Sequence, residues 1–373
     1  MCKINIKLFG LISFFYFCSI SILSGQPEYK SQPFKVDLES NINNIKAINL
    51  SNIGKELAFI PLETTPNCLI QKIRKILFSN SFIFVSEFTN LLEFDRNGKY
   101  IRKIGSSGTG PGEYLSIGDF CINERKQEIY IIFSSASKLL IYGFDGVFKK
   151  SINLSFRPAQ VIQRDPQSLM FHLWNVPGKN DPSWIITNLE GISLTVIKNS
   201  LKRVSQPGFL INHTPLYSFA NSLHFMEFGI DTLFYFKDAR KSPYAIFSLG
   251  DFKMDTDPII TASLIKDEKL LTKVWPGTIL ENNDYLFIKF YRGISNNSMT
   301  AIYDKRLETV TILKDEEFKN DLIGGIGFWP KQIVNDHILI DYADAFDLLE
   351  KNIPVDLRGK ISETSNPVLM ILK

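Results

Sequence analysis

Short runs of apolar and β-branched residues separated by polar breaks recur along most of the chain, and helical spacing is rare. Residues 82–104, FIFVSEFTNLLEFDRNGKYIRKI, read as a strand, a polar break, a second strand Leu91 to Phe94, the turn Asp95-Arg96-Asn97-Gly98 and a third strand Tyr100 to Ile104. Residues 129–152, IYIIFSSASKLLIYGFDGVFKKSI, repeat the unit with a strand Leu139 to Tyr142, the turn Phe144-Asp145-Gly146 and a strand Val147 to Ile152. Gly98 and Gly146 lie 48 residues apart, and a weaker third copy, SWIITNLEGISLTVI, sets Gly191 a further 45 along. Asn-Gly, Asp-Gly and Glu-Gly between β-rich runs mark hairpins, because a tight two-residue turn requires positive φ, which glycine adopts without steric cost.

The pattern decays but persists downstream. Residues 232–250 read as two strands around a polar turn, residues 285–313 as three strands, and PVLMILK closes the chain. A repeat of about 45 residues with about four short strands has the size of a propeller blade. The expectation is an all-β fold: a six-bladed β-propeller of mostly four-stranded antiparallel blades, with one or two short inserted helices. The helices are expected within 254–275, which lacks strand alternation, and within 343–352, where apolar residues have helical spacing. Two stacked β-sandwiches are the rival fold, disfavoured because they require no turn at a fixed period.

Composition narrows the class. Of 373 residues, 45% are apolar and 13% aromatic, enough for a sizeable core. The net charge of +3 is far from the basic excess of a phosphate-neutralising protein, so no nucleic-acid partner is expected. Residues 1–25 place Lys3 and Lys7 before an apolar stretch ending in Ser24 and Gly25, the layout of a signal peptide. The apolar stretch, broken by Ser13, Ser19 and Ser21, is short of a membrane span. Cleavage there leaves 26–373 as one propeller domain with no transmembrane span, periplasmic, cell-surface or secreted, and expected to be monomeric. Lipid anchoring at Cys18 is the alternative, against which stand the bulky Phe15, Tyr16 and Phe17 before it. Cys68 and Cys121 then remain, without metal-type spacing; they read as buried small hydrophobes or as one disulfide.

Three segments resemble a known family, the secreted six-bladed β-propeller proteins of Gram-negative gut-type bacteria, related in repeat style to NHL propellers. They are FIPLETTPNCLIQKI (59–73), LLEFDRNGKYIRKIGSSGTGPGEYLSIGDF (91–120) and NPVLMILK (366–373), with GTGPGEY at 108–114 the most specific element. The resemblance implies fold and export, and brings no catalytic residues with it.

Candidate chemistry is sparse. The glycine-rich 105–118 lacks the Lys-Ser/Thr of a phosphate loop and reads as a crossover between blades. His172, His213, His224 and His337 have no metal-like spacing, and neither a metal nor a cofactor is expected. Glu113 with Asp119, or Asp341 with Asp344, are weak candidates for paired-acid chemistry, and Asp315-Glu316-Glu317 reads as a solvated turn. Loops leading into innermost strands lie near the propeller axis; they are assigned to 114–119, 156–158, 217–221, 275–277 and 328–330. Aromatic and arginine side chains in such a mouth stack on sugars or peptides and bind carboxylates. The ligand-binding candidates are therefore Tyr114, Asp119, Arg157, Trp275, Arg292 and Trp329, each weighed against a role in packing between blades. The expected function is binding of a small molecule, glycan or protein at the axial mouth, with a glycan- or peptide-directed lyase or hydrolase and a structural envelope module as alternatives.

Overall fold

The computed structural model describes residues 32–133, 136–173, 182–198, 200, 214–227, 230–237, 240–253, 271–293 and 298–373. An N-terminal arm supplies β1 (Phe34–Asp37), β2 (Ile45–Lys46) and β3 (Leu57–Pro61). Blade I contains β4 (Lys75–Phe78), β5 (Phe82–Ser86), β6 (Leu91–Asp95) and β7 (Tyr100–Lys103). Blade II contains β8 (Asp119–Asn123), β9 (Glu128–Phe133), β10 (Lys138–Gly143) and β11 (Phe148–Asn153). Blade III contains β12 (Pro158–Asp165), β13 (Ser168–Leu173), β14 (Pro182–Asn188) and β15 (Ser193–Lys198). Blade IV contains β16 (Leu216–Phe219), β17 (Ser222–Met226), β18 (Thr232–Lys237) and β19 (Arg240–Ser248). Blade V contains β20 (Val274–Glu281), β21 (Tyr285–Arg292), β22 (Ser298–Asp304) and β23 (Thr309–Leu313). Blade VI contains β24 (Gln332–Val334), β25 (Ile338–Ala343) and β26 (Val368–Leu372), and takes β3 as its outer strand.

The result is a six-bladed propeller closed by its two ends. Strand β3 runs antiparallel to β26, with Leu57 opposite Leu372 and Pro61 opposite Val368. Strands β1 and β2 lie parallel to β19 and β23 as fifth strands of blades IV and V. Two short helices, α1 (Ala345–Leu349) and α2 (Val355–Arg358), both fall between β25 and β26, where helical spacing predicts the first of them. The helix expected in 254–275 lies mostly outside the described residues, and Val274 and Trp275 are already strand.

Each blade buries both faces, which is why its central strands read as continuous apolar runs rather than as alternation. In β5, Ile83 and Val85 pack toward blade VI while Phe84 between them packs toward blade II. Six hydrophobic clusters result, one per junction between neighbouring blades. No blade could keep these faces covered alone, so the ring is the unit of stability.

The repeated glycines sit in three-residue loops, one residue longer than the two-residue turns expected from their dipeptides. Asp95 N–H donates to Lys99 O at 2.8 Å and Gly98 N–H to Asp95 O at 3.1 Å. The same pair of bonds recurs at Gly143–Val147 and Asn188–Ile192. The loop ends on a left-handed residue, with φ of 84° at Gly98, 79° at Gly146 and 76° at Gly191. At Gly98 a Cβ would also lie 2.2 Å from the Pro61 carbonyl oxygen, so this turn seats blade I directly on the closing strand β3.

Candidate functional site

The six innermost strands, β4, β8, β12, β16, β20 and β24, touch one another in order around the axis. The upper face is the one where these strands begin. Here side chains staple the hub. Lys75 Nζ donates to Asp119 Oδ1 and to Phe120 O, both at 2.8 Å, and Asp119 Oδ2 accepts the Val161 N–H at 2.9 Å. Asp119 thus ties the inner strands of blades I, II and III, giving the inward-facing N–H of β12 a partner.

The structure does not gather the six candidates into one mouth. Tyr114 is fully buried; its hydroxyl donates to Ile104 O, and its ring fills the junction of blades I and II. Trp329 is 5% exposed, stacked on Phe318 at 5.9 Å and edge-on to Phe287 at 6.1 Å. Arg157 is exposed, just before β12. Trp275 and Arg292 both lie on blade V, on the neighbouring strands β20 and β21, at adjacent register positions that face opposite sides of the sheet. Trp275 pairs across the strands with Tyr291, their rings 6.2 Å apart, and the Arg292 guanidinium lies 5.6 Å from the Phe252 ring centre.

Two of the loop assignments change. Tyr217 belongs to the inner strand β16 and 220–221 to the turn at its far end, so Thr214-Pro215 leads into this strand. Trp275-Pro276-Gly277 lies inside β20 rather than before it. Sequence reasoning also omits the lead-in to blade I, where Arg74 Nη1 donates to Ile117 O at 2.9 Å. The 105–118 crossover is held by its own contacts. Gly110 N–H donates to Glu113 Oε2 at 2.8 Å and Tyr142 donates to Gly112 O.

Among the described residues, open space is found above blade IV. The ion pair between Lys253 and Asp231, 2.6 Å long, divides it. On the axial side is a slot of about 20 Å³, room for a water, lined by Glu227, Asp231, Lys253 and Trp275 among others. On the rim side is a basin of about 420 Å³ between β1 and the end of β19, lined by Phe34, Lys35, Glu39, Asp231, Ser248 and Lys253. A basin of this size accommodates a small ligand. Lys35, Lys253, Glu39 and Asp231 present both signs of charge beside the Phe34 ring. The repeat could not reveal these residues, because the arm that supplies Lys35 and Glu39 lies outside the repeating unit.

Below this groove lies a closed polar cluster. Glu281, on β20, accepts hydrogen bonds from Tyr217 Oη at 2.6 Å and from Tyr244 Oη, and pairs with Lys305 Nζ at 2.5 Å. Burial pushes the Glu281 carboxyl above the usual range and the Lys305 ammonium below it, while each charge offsets part of the other's shift. His224, stacked 5.1 Å from Tyr217, is fully buried and its imidazole is pushed down to about 3 by desolvation and then by Lys305. The cluster joins blades IV and V.

His172 is buried and His337 exposed, while His213 lies outside the described residues. Cys68 and Cys121 are buried free thiols rather than a disulfide, and burial pushes Cys121 up to about 12. Among the described residues no three His, Cys, Asp or Glu converge to hold a metal, and no helix is long and apolar enough to cross a membrane.

The sequence profile of one family, described as "Domain of unknown function (DUF4934)", matches residues 33–373. Among solved structures, a Bacteroides fragilis NCTC 9343 protein assigned as exported superposes with a TM-score of 0.70 at 18% identity, covering 92% of this chain and 99% of its own. A Bacteroides vulgatus ATCC 8482 member of the DUF4221 family superposes with a TM-score of 0.53 at 11% identity, covering 86% of this chain and 96% of its own. At these identities the likeness is one of fold. Comparison with curated proteins gives no match.

Proposed function

The chain belongs to the DUF4934 family, and on that premise we propose that it is an exported binding module that holds a polar ligand in the groove above blade IV. Export is supported by the signal-like residues 1–25 and by the exported assignment of the B. fragilis structure. The observation that carries the binding reading is the 420 Å³ basin, whose Lys253–Asp231 wall adjoins the slot under Trp275. Opposed charges beside half-buried rings suit a ligand with both donor and acceptor groups and an apolar body, such as a short peptide or a glycan. Of the sequence candidates, Trp275 belongs to this reading, while Arg292 lines neither space; Asp119 and Arg157 would meet only a ligand reaching the hub.

A thermal-shift screen of the chain from Gln26 onward, against short peptides, oligosaccharides and divalent cations, tests it. A true ligand raises the melting temperature of the native protein, and Lys253→Ala and Trp275→Ala lose that rise while melting within about 2 °C of wild type, since both side chains are partly exposed. A rise that survives both substitutions overturns the proposal.

A further inference from the structure

We propose that the upper face of blade I is a second interaction surface, which takes an acidic peptide segment with apolar side chains from a protein partner. Three loops meet there: 62–74, which leads into β4, 87–90, which joins β5 to β6, and the 104–118 crossover to blade II. Each holds one large apolar side chain in the open, with Leu69 55%, Phe88 63% and Leu115 52% exposed. The loops are bonded to one another. Buried Glu87 accepts the Gln71 N–H at 2.6 Å, and the Ile117 N–H donates to Phe88 O at 2.8 Å. Leu115 follows Tyr114, whose fully buried ring fixes this part of the crossover. Apolar residues scattered singly over a surface need no explanation, but three gathered on interlocked loops mark a place of contact.

The charge between them sets the class of partner. Arg74 is exposed; its Nη1 donates to Ile117 O at 2.9 Å and its guanidinium lies 5.5 Å from the centre of the Phe88 ring. One corner is held and one face is stacked, which leaves further donors of a pre-placed fork for a carboxylate. Lys72, exposed on the same loop, adds a second positive charge. Among the described residues neither cation is ion-paired, whereas the adjacent Lys75 is paired with Asp119. The acids of the three loops are engaged elsewhere: Glu63 by the Tyr100 N–H at 2.7 Å, Glu87 also by Asn90 at 2.9 Å, and Glu113 by the Gly110 N–H. An apolar, locally positive surface whose own acids are tied down complements a segment that is apolar and acidic. Arginine beside an exposed aromatic ring is also the composition of an interface hot spot. A lipid surface fits less well, because two cations are few for anionic headgroups and β1 enters blade IV from the lower face, the side away from this patch.

Panning a phage-displayed library of random peptides on the chain from Gln26 onward reads the partner class. Selected peptides are expected to set Asp or Glu beside Leu, Ile, Phe or Trp, and fluorescein-labelled copies are expected to bind more weakly as salt rises. Phe88→Ser is expected to weaken them about tenfold or more, and Lys72→Glu combined with Arg74→Glu to abolish binding, with unchanged circular dichroism. Because Arg74→Glu also removes the bond to Ile117, Lys72→Glu alone and Leu115→Ser, both at exposed side chains, read the same surface without it. Lys253→Ala, at the groove above blade IV, is expected to leave these peptides bound. Failure to select any peptide, selection without acidic residues, or binding that survives Phe88→Ser and Lys72→Glu overturns the proposal. Binding of phosphatidylglycerol vesicles that is lost in Phe88→Ser, with no peptide selected, overturns it in favour of a membrane contact.

Discussion

Glu93 gives a pH signature that the packing of blades I and II should impose on the whole ring. It lies on β6, opposite Arg102 on β7, and is fully buried. Arg102 Nε stands 3.3 Å from Oε2, but the arginine is 40% exposed and also donates to the Asp145 carbonyl of blade II. The pairing is too loose to offset burial, which pushes the carboxyl up to about 7 from an ordinary 4.5, Asp145 adding to the rise. The native state therefore holds this proton more tightly than the unfolded chain. The stability that follows is fully present below about pH 4.5 and is lost as the pH rises through 7. A shift of this size corresponds to about 3 kcal/mol, most of it falling between pH 5 and pH 8. Glu93→Gln keeps the shape and removes the titration. Melting curves of both proteins at pH 5, 6, 7 and 8 should show the variant gaining on wild type as the pH rises, by about 2 kcal/mol over the series. Curves that stay parallel across the series would refute the assignment of Glu93 as a protonated buried acid.

Three further substitutions probe the packing. Trp329→Ala removes a buried ring stacked on Phe318 and should destabilise by about 3 to 5 kcal/mol in chemical denaturation, marking Trp329 as a wedge between blades V and VI. Glu281→Ala leaves the Lys305 ammonium buried without its carboxylate and should cost about 3 to 5 kcal/mol, whereas Glu281→Gln, which keeps hydrogen-bonding capacity, should cost less on the same assay. Asn366 donates to Glu63 O at 2.7 Å and to Cys68 O at 2.8 Å, and accepts from Ile70 N–H at 2.8 Å. Asn366→Ala strands these groups and should cost about 3 kcal/mol, with amide exchange of β3 and β26 accelerating ahead of the other blades.

The three segments that carry the family resemblance meet in space. Residues 59–73 and 366–373 form the antiparallel seam of β3 and β26, bound by Asn366, and Glu63 reaches across to accept the Tyr100 N–H at 2.7 Å and to donate its own N–H to Gly98 O. The chain is most recognisable where the ring must close, since these residues satisfy strand pairing, turn geometry and an inter-blade junction together. Blades I to III are legible because Gly98, Gly146 and Gly191 recur at near-equal spacing along an apolar pattern, while blades IV to VI keep the apolar runs without the glycine turn. The fifth strands β1 and β2 are not legible, because FKVD and IK are too short to announce strands, and their pairing depends on an edge that exists only once blades IV and V have folded. For the same reason general propeller geometry points a ligand to the axial mouth, whereas the basin at the rim takes Lys35 and Glu39 of the arm into its lining. Aromatic residues at or just before the starts of inner strands look alike in sequence whether half-exposed, as at Trp275, or buried, as at Tyr114 and Trp329, because burial is decided by the neighbouring blade.

Hydrogen–deuterium exchange in the presence of the strongest ligand from the thermal-shift screen tests the groove most directly. Slowed exchange is expected at Phe34–Glu39, at Phe247–Lys253 and around Trp275, the segments bordering the basin and slot. Slowing confined to the starts of β4, β8 and β12, around Lys75 and Asp119, with no change in the arm, would contradict the account and return the binding site to the axis.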